Sequence, residues 1–301
     1  MAPLAKNTLN CLISSSANTL KIKAMSIEIL KSKIASYEDF VMPETLYKYR
    51  DWTDDNHRRL ITNREIFFAA PSSFKDQFDC KIPTRWDLLT DEDILQKYYN
   101  DSFSIHPEFK EEQRLAFANE WAKNYLIRDE EYVAKHQSNT YKQFSDRTGI
   151  LSLTEHPAEI PMWEGYSSLH TGFCIGFDGK TILEGGKGKS GGIVRYYDEL
   201  PIIFPSPKHN YMEQSTIQIF SKLRCWEFEK EYRTFIFNSH PLTNLQRLFV
   251  VQPIAFKEII LGAKMDNDIE QEILKSIPKE IGHIKVKKAY LEKGSIVIKD
   301  L

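Results

Sequence analysis

Paired cysteines, a membrane-length apolar run and a surplus of charge of either sign are all missing from this chain. Its four cysteines, Cys11, Cys80, Cys174 and Cys225, lie far apart with no C-x-x-C pair, and its eight histidines show no H-x-x-x-H spacing. A metal site is therefore not expected. Isolated cysteines in a chain of 301 residues read as reduced packing residues, which points to the cytoplasm. No apolar run approaches the roughly 18 residues that a spanning helix needs, so no membrane is expected among the partners. A formal charge of -2 with pI near 6.5 supplies no global field to recruit nucleic acid or an anionic surface.

The first 27 residues lack any acid or arginine, and hold Lys6, Lys21 and Lys23. A transit peptide would carry arginine, so the stretch reads instead as sequence preceding a natural beginning at Met25-Ser26-Ile27-Glu28. Residues 1–24 are expected to be disordered. The whole chain is 42% hydrophobic and 12% aromatic, enough to bury a sizeable core.

Ile27, Leu30 and Ile34 share one face of a short helix over Ser26 to Ser36. Strands are expected at Thr45 to Arg50, Glu65 to Ala70, Gly149 to Thr154, Gly172 to Phe177, Gly192 to Tyr197, Glu231 to Phe237, Glu258 to Gly262, Lys285 to Tyr290 and Ile296 to Lys299. Helices are expected at Asp54 to Asn63, Glu159 to Ser168, Gln214 to Arg224 and Asp266 to Ser276. From Thr90 to Arg147 helical spacing replaces all strand signal, with Trp121 and Tyr125 on one apolar face, so about 84–147 reads as a helical insertion of three helices. The irregular order of elements gives an α+β fold with a mixed, largely antiparallel split sheet. The organisation is an N-terminal arm and short helix over 1–36, then one α+β domain over 37–301.

The stretch Gly185-Gly186-Lys187-Gly188-Lys189-Ser190-Gly191-Gly192 matches the G-x-G-x-x-G letters. However, a strand follows it where a dinucleotide site needs a helix, and Leu183 stands where a phosphate loop needs glycine. It reads as a surface hairpin loop.

Three polar clusters remain, each at a strand edge. Arg50 ends a strand beside Tyr47, Lys48 and Tyr49, where a guanidinium can grip a phosphate or form a buried ion pair. Ser152 and Thr154 leave one face of their strand, to bind a ribose or simply to face solvent. Trp163 and Tyr166 are three apart on a helix, a stacking platform or a piece of core. Continuing the strand back to Trp226 puts Glu227, Glu229, Glu231 and Arg233 on one side. Acids so placed need cations such as Arg233, Lys222 or Arg224.

These residues resemble an uncharacterised, mainly bacterial family, the domain of unknown function numbered 2971. The shared patterns are Leu46-Tyr47-Lys48-Tyr49-Arg50, then Pro71, Phe74, Asp76, Phe78 and Asp79 after an apolar strand. Leu151-Ser152-Leu153-Thr154, Met162-Trp163-x-x-Tyr166 and Lys222-x-x-x-Trp226-x-x-Glu229-x-Glu231-x-Arg233 follow. Lys75-Asp76-Gln77 stands where the family often has Asn-Asp-Pro. The order Arg, Ser-x-Thr, Glu-x-Glu also resembles the ADP-ribosyltransferases of the arginine–serine–glutamate class, which implies their fold and NAD as substrate. The resemblance implies Glu231 and Arg50 as catalytic residues. It implies Glu229, Ser152, Thr154, Tyr166, Trp163, Lys48 and Tyr47 as substrate-binding ones, with an acceptor that is a protein or a nucleic acid. Two features depart from that class: the long separation of Arg50 from Ser152, and Ser-Leu-Thr in place of Ser-Thr-Ser. The expected function is an NAD-dependent ADP-ribosyltransferase-like or NAD-hydrolysing enzyme, a toxin or phage-defence effector. The alternatives are a non-catalytic nucleotide- or protein-binding module, and a nuclease using Asp76, Asp79 and Glu229 as metal carboxylates.

Overall fold

The structure, a computed structural model, describes residues 43–124, 126–184 and 190–301. The expected N-terminal helix, the disorder expected over 1–24, Tyr125 and most of the glycine-rich stretch lie outside these residues.

Alternating and β-branched stretches form the strands of one eight-stranded sheet. In chain order these are β1 (Thr45–Arg50), β3 (Thr148–Thr154), β4 (Phe173–Asp178), β5 (Ser190–Ile193), β8 (Glu231–Phe237), β10 (Phe256–Leu261), β11 (Lys285–Glu292) and β12 (Ser295–Asp300). Their spatial order is β12-β11-β10-β4-β1-β3-β8-β5, and every neighbouring pair is antiparallel except β10–β11. The architecture is thus α+β with a largely antiparallel open sheet.

The sheet is not evenly stitched. β1 pairs with β4 over six positions, and β3 with β8 over seven, but β1 meets β3 only at Tyr47↔Thr154. Beyond that point the two central strands separate. Two smaller sheets flank the main one: β2 (Glu65–Phe67) with β9 (Leu248–Val250), and β6 (Arg195–Tyr197) in parallel with β7 (Ser221–Leu223).

Both faces of the main sheet are covered. On one, α1 (Asp55–Thr62) brings Leu60 and Ile61, and α9 (Asn267–Ser276) brings Ile273, onto Leu46, Leu151, Leu153, Phe173, Ile175 and Phe177. On the other, Met162 and Trp163 of α5 (Ile160–Tyr166) pack on Tyr49, Cys174 and Ile260. Each such buried side chain contributes about 1.5–3 kcal/mol. The starts of the helices follow from their caps: the Asp54 carboxylate accepts from the amides of Asn56 and His57, and Asp266 does the same for Asp268.

Residues 91–147 form α2 (Asp91–Ile105), α3 (Glu111–Lys123) and α4 (Glu130–Arg147), and α2 opens on a Thr90–Asp93 capping box. Their own small cluster is Leu89, Ile94 and Ile127, with Trp86 and Tyr98 against it. Trp121 packs at a tilt against Tyr98 and Phe117 and stays 38% exposed.

Several expectations change on contact with the structure. The strand expected over 192–197 is broken at Val194, which sends β5 to the main sheet and β6 to a side sheet. The helix expected to run to Arg224 stops at Phe220 as α7 (Tyr211–Phe220), and Ser221 to Leu223 pairs with β6 instead. Cys80 and Cys174 are buried free thiols, as isolated cysteines should be. Among the described residues no helix is long and apolar enough to cross a membrane.

Candidate functional site

A buried cluster of five charges lies on the β3–β8 half of the sheet. Asp79, Lys222, Glu229, Glu231 and Arg233 are each no more than 6% exposed. They come from three segments. Asp79 ends the turn that follows β2, where the Asp76 carboxylate accepts from the Phe78 amide at 3.0 Å. Lys222 is the middle residue of β7. The other three belong to the run that leads into β8.

That run is not one strand. Arg224–Glu229 is a 3-10 helix, and Lys230 takes a left-handed conformation with φ of 40° before β8 begins. The continuous alternation back to Trp226 therefore fails, and Glu227 turns outward to pair with Arg224. Glu229 nevertheless reaches the same place as Glu231, because the Lys230 corner folds it back.

The contacts are close and mutual. Arg233 donates through Nε to Glu231 Oε1 at 2.8 Å and through Nη2 to Glu231 Oε2 at 2.9 Å. It also reaches Asp79 Oδ2 at 2.8 Å and the Ile219 carbonyl at 2.7 Å. Lys222 Nζ bonds Glu229 and lies 3.4 Å from both Glu231 Oε2 and Asp79 Oδ2. Trp226 lies under the Lys222 ammonium at 5.0 Å, and Phe74 under the Arg233 guanidinium at 5.6 Å.

Across the ladder Ser152 faces Arg233 and Thr154 faces Glu231, and the Ser152 hydroxyl adds a hydrogen bond to Glu231. Tyr166 donates to Glu229 Oε1 at 2.5 Å while its ring stays 37% exposed. Tyr196 accepts from the Glu231 amide at 2.9 Å.

Burial alone would raise the Glu231 carboxyl; Arg233 and then Lys222 outweigh it and hold it well below the carboxylate range. Burial would strip Lys222 of its proton, but Glu229, Glu231 and Asp79 around one ammonium keep it firmly charged. Glu229 has less compensation, and its burial pushes its carboxyl up. Burial and Glu229 hold the Tyr166 phenol protonated.

β1 contributes two cations, Lys48 and Arg50, that form no ion pair among the described residues; Asp54 is the acid that acts on Arg50. Where β1 departs from β3, the Lys48 ammonium takes the Ser152 carbonyl at 2.6 Å. Among the described residues no carboxylate comes within 4 Å of Lys48 or Arg50. Burial lowers Lys48 to about 7 and Arg50 to about 10. Lys48 feels Glu231 and Glu229 across the gap.

Of the expected site residues, the structure thus gathers Glu229, Glu231, Ser152, Thr154 and Tyr166; Lys48 and Arg50 leave β1 on the opposite face, the side of Leu46, and only the Lys48 amine reaches back, to the Ser152 carbonyl. Among the described residues the Arg50 guanidinium bonds neither Ser152 nor Glu231, and donates to the Tyr49 carbonyl at 3.4 Å. Tyr47 turns to Glu258 Oε1 at 2.9 Å. Trp163 is fully buried, edge-on to Tyr49 with its indole N–H on the Pro157 carbonyl, so it is core and makes no platform with Tyr166. Arg233 and Lys222, expected only as compensating cations, and Asp79, expected only in the nuclease alternative, complete the cluster. The signal for them was present, since three acids in one buried place require cations. Among the described residues no three His, Cys, Asp or Glu are placed to hold a metal ion; Asp79 and Glu229 are engaged by Arg233 and Lys222.

A family model described as a protein of unknown function, DUF2971, matches residues 162–234. That span contains Tyr166, Lys222, Trp226, Glu229, Glu231 and Arg233, and stops short of Asp79, Ser152 and β1. No curated protein and no solved structure matches the chain.

Proposed function

We infer that this chain is an NAD-consuming, ADP-ribosyltransferase-like enzyme whose dinucleotide lies across the β1–β3 gap. The observation that supports this is the charge at that gap: Glu229 and Glu231 on the β8 side, and the Lys48 amine reaching the Ser152 carbonyl from β1 with no carboxylate bonded to it among the described residues. Arg50 would take a phosphate of the dinucleotide, with Lys48 beside it as a donor. Breaking the nicotinamide C–N bond builds positive charge on the ribose, and a carboxylate pair stabilises it before an acceptor attacks.

In this reading the two acids have different tasks. Glu231 has both oxygens on Arg233 and acts as a fixed field. Glu229 shares one oxygen with the partly exposed Tyr166 and is the acid nearer to substrate. Incubating purified protein with NAD and candidate protein or nucleic-acid acceptors tests the reading. No nicotinamide release would sink it, as would unchanged release from a folded Glu229→Gln variant.

The full engagement of Glu231 also favours a second reading, a non-catalytic module that binds a nucleotide through the same gap. That reading predicts that NAD raises the unfolding temperature without being consumed.

A further inference from the structure

Seven non-glycine residues among those described have positive φ, a backbone state that a side chain disfavours and glycine adopts freely. Two of them have ordinary reasons. Arg64 follows the end of α1, where a left-handed residue closes many helices. Lys293 and Gly294 make the two-residue turn between β11 and β12, a turn that favours positive φ at both positions. The other five adjoin the buried ionic cluster. Cys80 follows Asp79, Lys230 stands between Glu229 and Glu231, and the run Ser168, Leu169 and His170 begins two residues after Tyr166. Unfavourable backbone gathered in this way marks a site that its surroundings hold against local preference.

Lys230 shows what the unfavourable conformation accomplishes. Extended backbone there would space Glu229 and Glu231 about 7 Å apart along one strand line. With φ of 40° and ψ of 58° the chain turns instead. Both carboxylates then reach the single Lys222 ammonium, and Glu229 Oε1 receives the Tyr166 hydroxyl at 2.5 Å. The Lys230 side chain takes no part in this: it is 44% exposed and reaches Glu227 at 3.7 Å. We propose that Lys230 is a positioning residue whose left-handed backbone, and not its ammonium, sets Glu229 against Tyr166 for the reaction. The proposal rests on the reading of Glu229 as the acid nearer to substrate. A residue that tolerates positive φ serves at this corner, and a β-branched one does not.

Carbodiimide coupling of glycine ethyl ester to accessible carboxyls, mapped by mass spectrometry without NAD, tests the proposal alongside nicotinamide release. In the parent Glu229, 4% exposed, should resist coupling. Lys230→Val should speed coupling at Glu229 about tenfold and lower kcat for nicotinamide release by a similar factor, with KM for NAD little changed. Lys230→Gly, which lacks the ammonium but takes the corner freely, should restore both protection and turnover. Lys293→Val, the same change at the remote turn, should lower the unfolding temperature without exposing Glu229. Lys230→Thr supplies a second β-branched variant should the valine one not fold. A Glu229 that stays protected in a folded β-branched variant would overturn the proposal. Failure of Lys230→Gly to restore it would do the same, by giving the role to the ammonium. Exposure of Glu229 in Lys230→Val, with no nicotinamide release even from the parent, would uphold the corner and sink the enzymatic reading alone.

Discussion

Arg233 holds both carboxylate oxygens of Glu231, its neighbour two positions back on the same strand, at 2.8 and 2.9 Å. This pair, with Asp79 and Lys222, forms a closed ionic network under the sheet, and removing one member strands the others. Arg233→Leu should cost about 3–5 kcal/mol, because Glu231 and Asp79 would remain buried without their main partner. Denaturant titration measures this; a loss under about 1 kcal/mol would mean that the site relaxes to admit water.

The same pair sets an acid limit. The folded value of Glu231 lies below its ordinary 4.5, so the stability it supplies is present above about pH 4.5 and is lost as pH falls through the folded value. Glu231→Gln should therefore be less stable than the parent at pH 7, with the gap narrowing toward pH 3. A gap that stays constant in urea titrations across that range would contradict the assignment.

Lys48 works in the opposite pH region. Its folded value of about 7 is below the ordinary 10.5, so its contribution is present above the unfolded value and is lost as pH falls through 7. Relative to Lys48→Met, the parent should gain stability between pH 7 and pH 10. Paired thermal melts at the two ends of that range decide the point, and a parallel pair of curves would show that Lys48 keeps its proton.

Tyr166 offers a change that spares the fold, since its ring is already partly exposed and only its hydroxyl is engaged. Tyr166→Phe deletes a hydrogen bond to a charged group, so nicotinamide release should fall about tenfold with little change in unfolding temperature. Equal turnover in the two proteins would remove Glu229 from the reacting side.

Gly172 tests how β1 is seated. A Cβ built there would meet the Arg50 carbonyl at 2.2 Å, which no side-chain rotation can relieve. Gly172→Ala should cost about 1–3 kcal/mol and shift the end of β1. Denaturant titration reads the cost, and an unchanged midpoint would show that the Arg50 carbonyl gives way.

Much of this arrangement was readable before any coordinates. Thr45 to Arg50 and Glu231 to Phe237 alternate cleanly, and Asp54 marks the start of its helix as a capping acid. What resisted reading was local geometry that no period encodes. The left-handed Lys230 lets Glu229 join Glu231 from outside the strand, where alternation had relied on an unbroken strand. Val194 divides one apolar run between two sheets. In α5 the i, i+3 spacing of Trp163 and Tyr166 correctly gave them a shared helix, but burial separated their fates. Arg50 shows the limit for function: its position beside Lys48 is evident from the strand, whereas its distance from Glu231 depends on where β1 leaves β3.

That parting of two neighbouring strands has a mechanical consequence. With a single ladder rung joining five strands to three, cohesion across the molecule's midline rests on side chains and on whatever molecule settles there. A guest bridging the rift would replace the absent backbone rungs, so its own grip would be repaid as rigidity shared by both flanks.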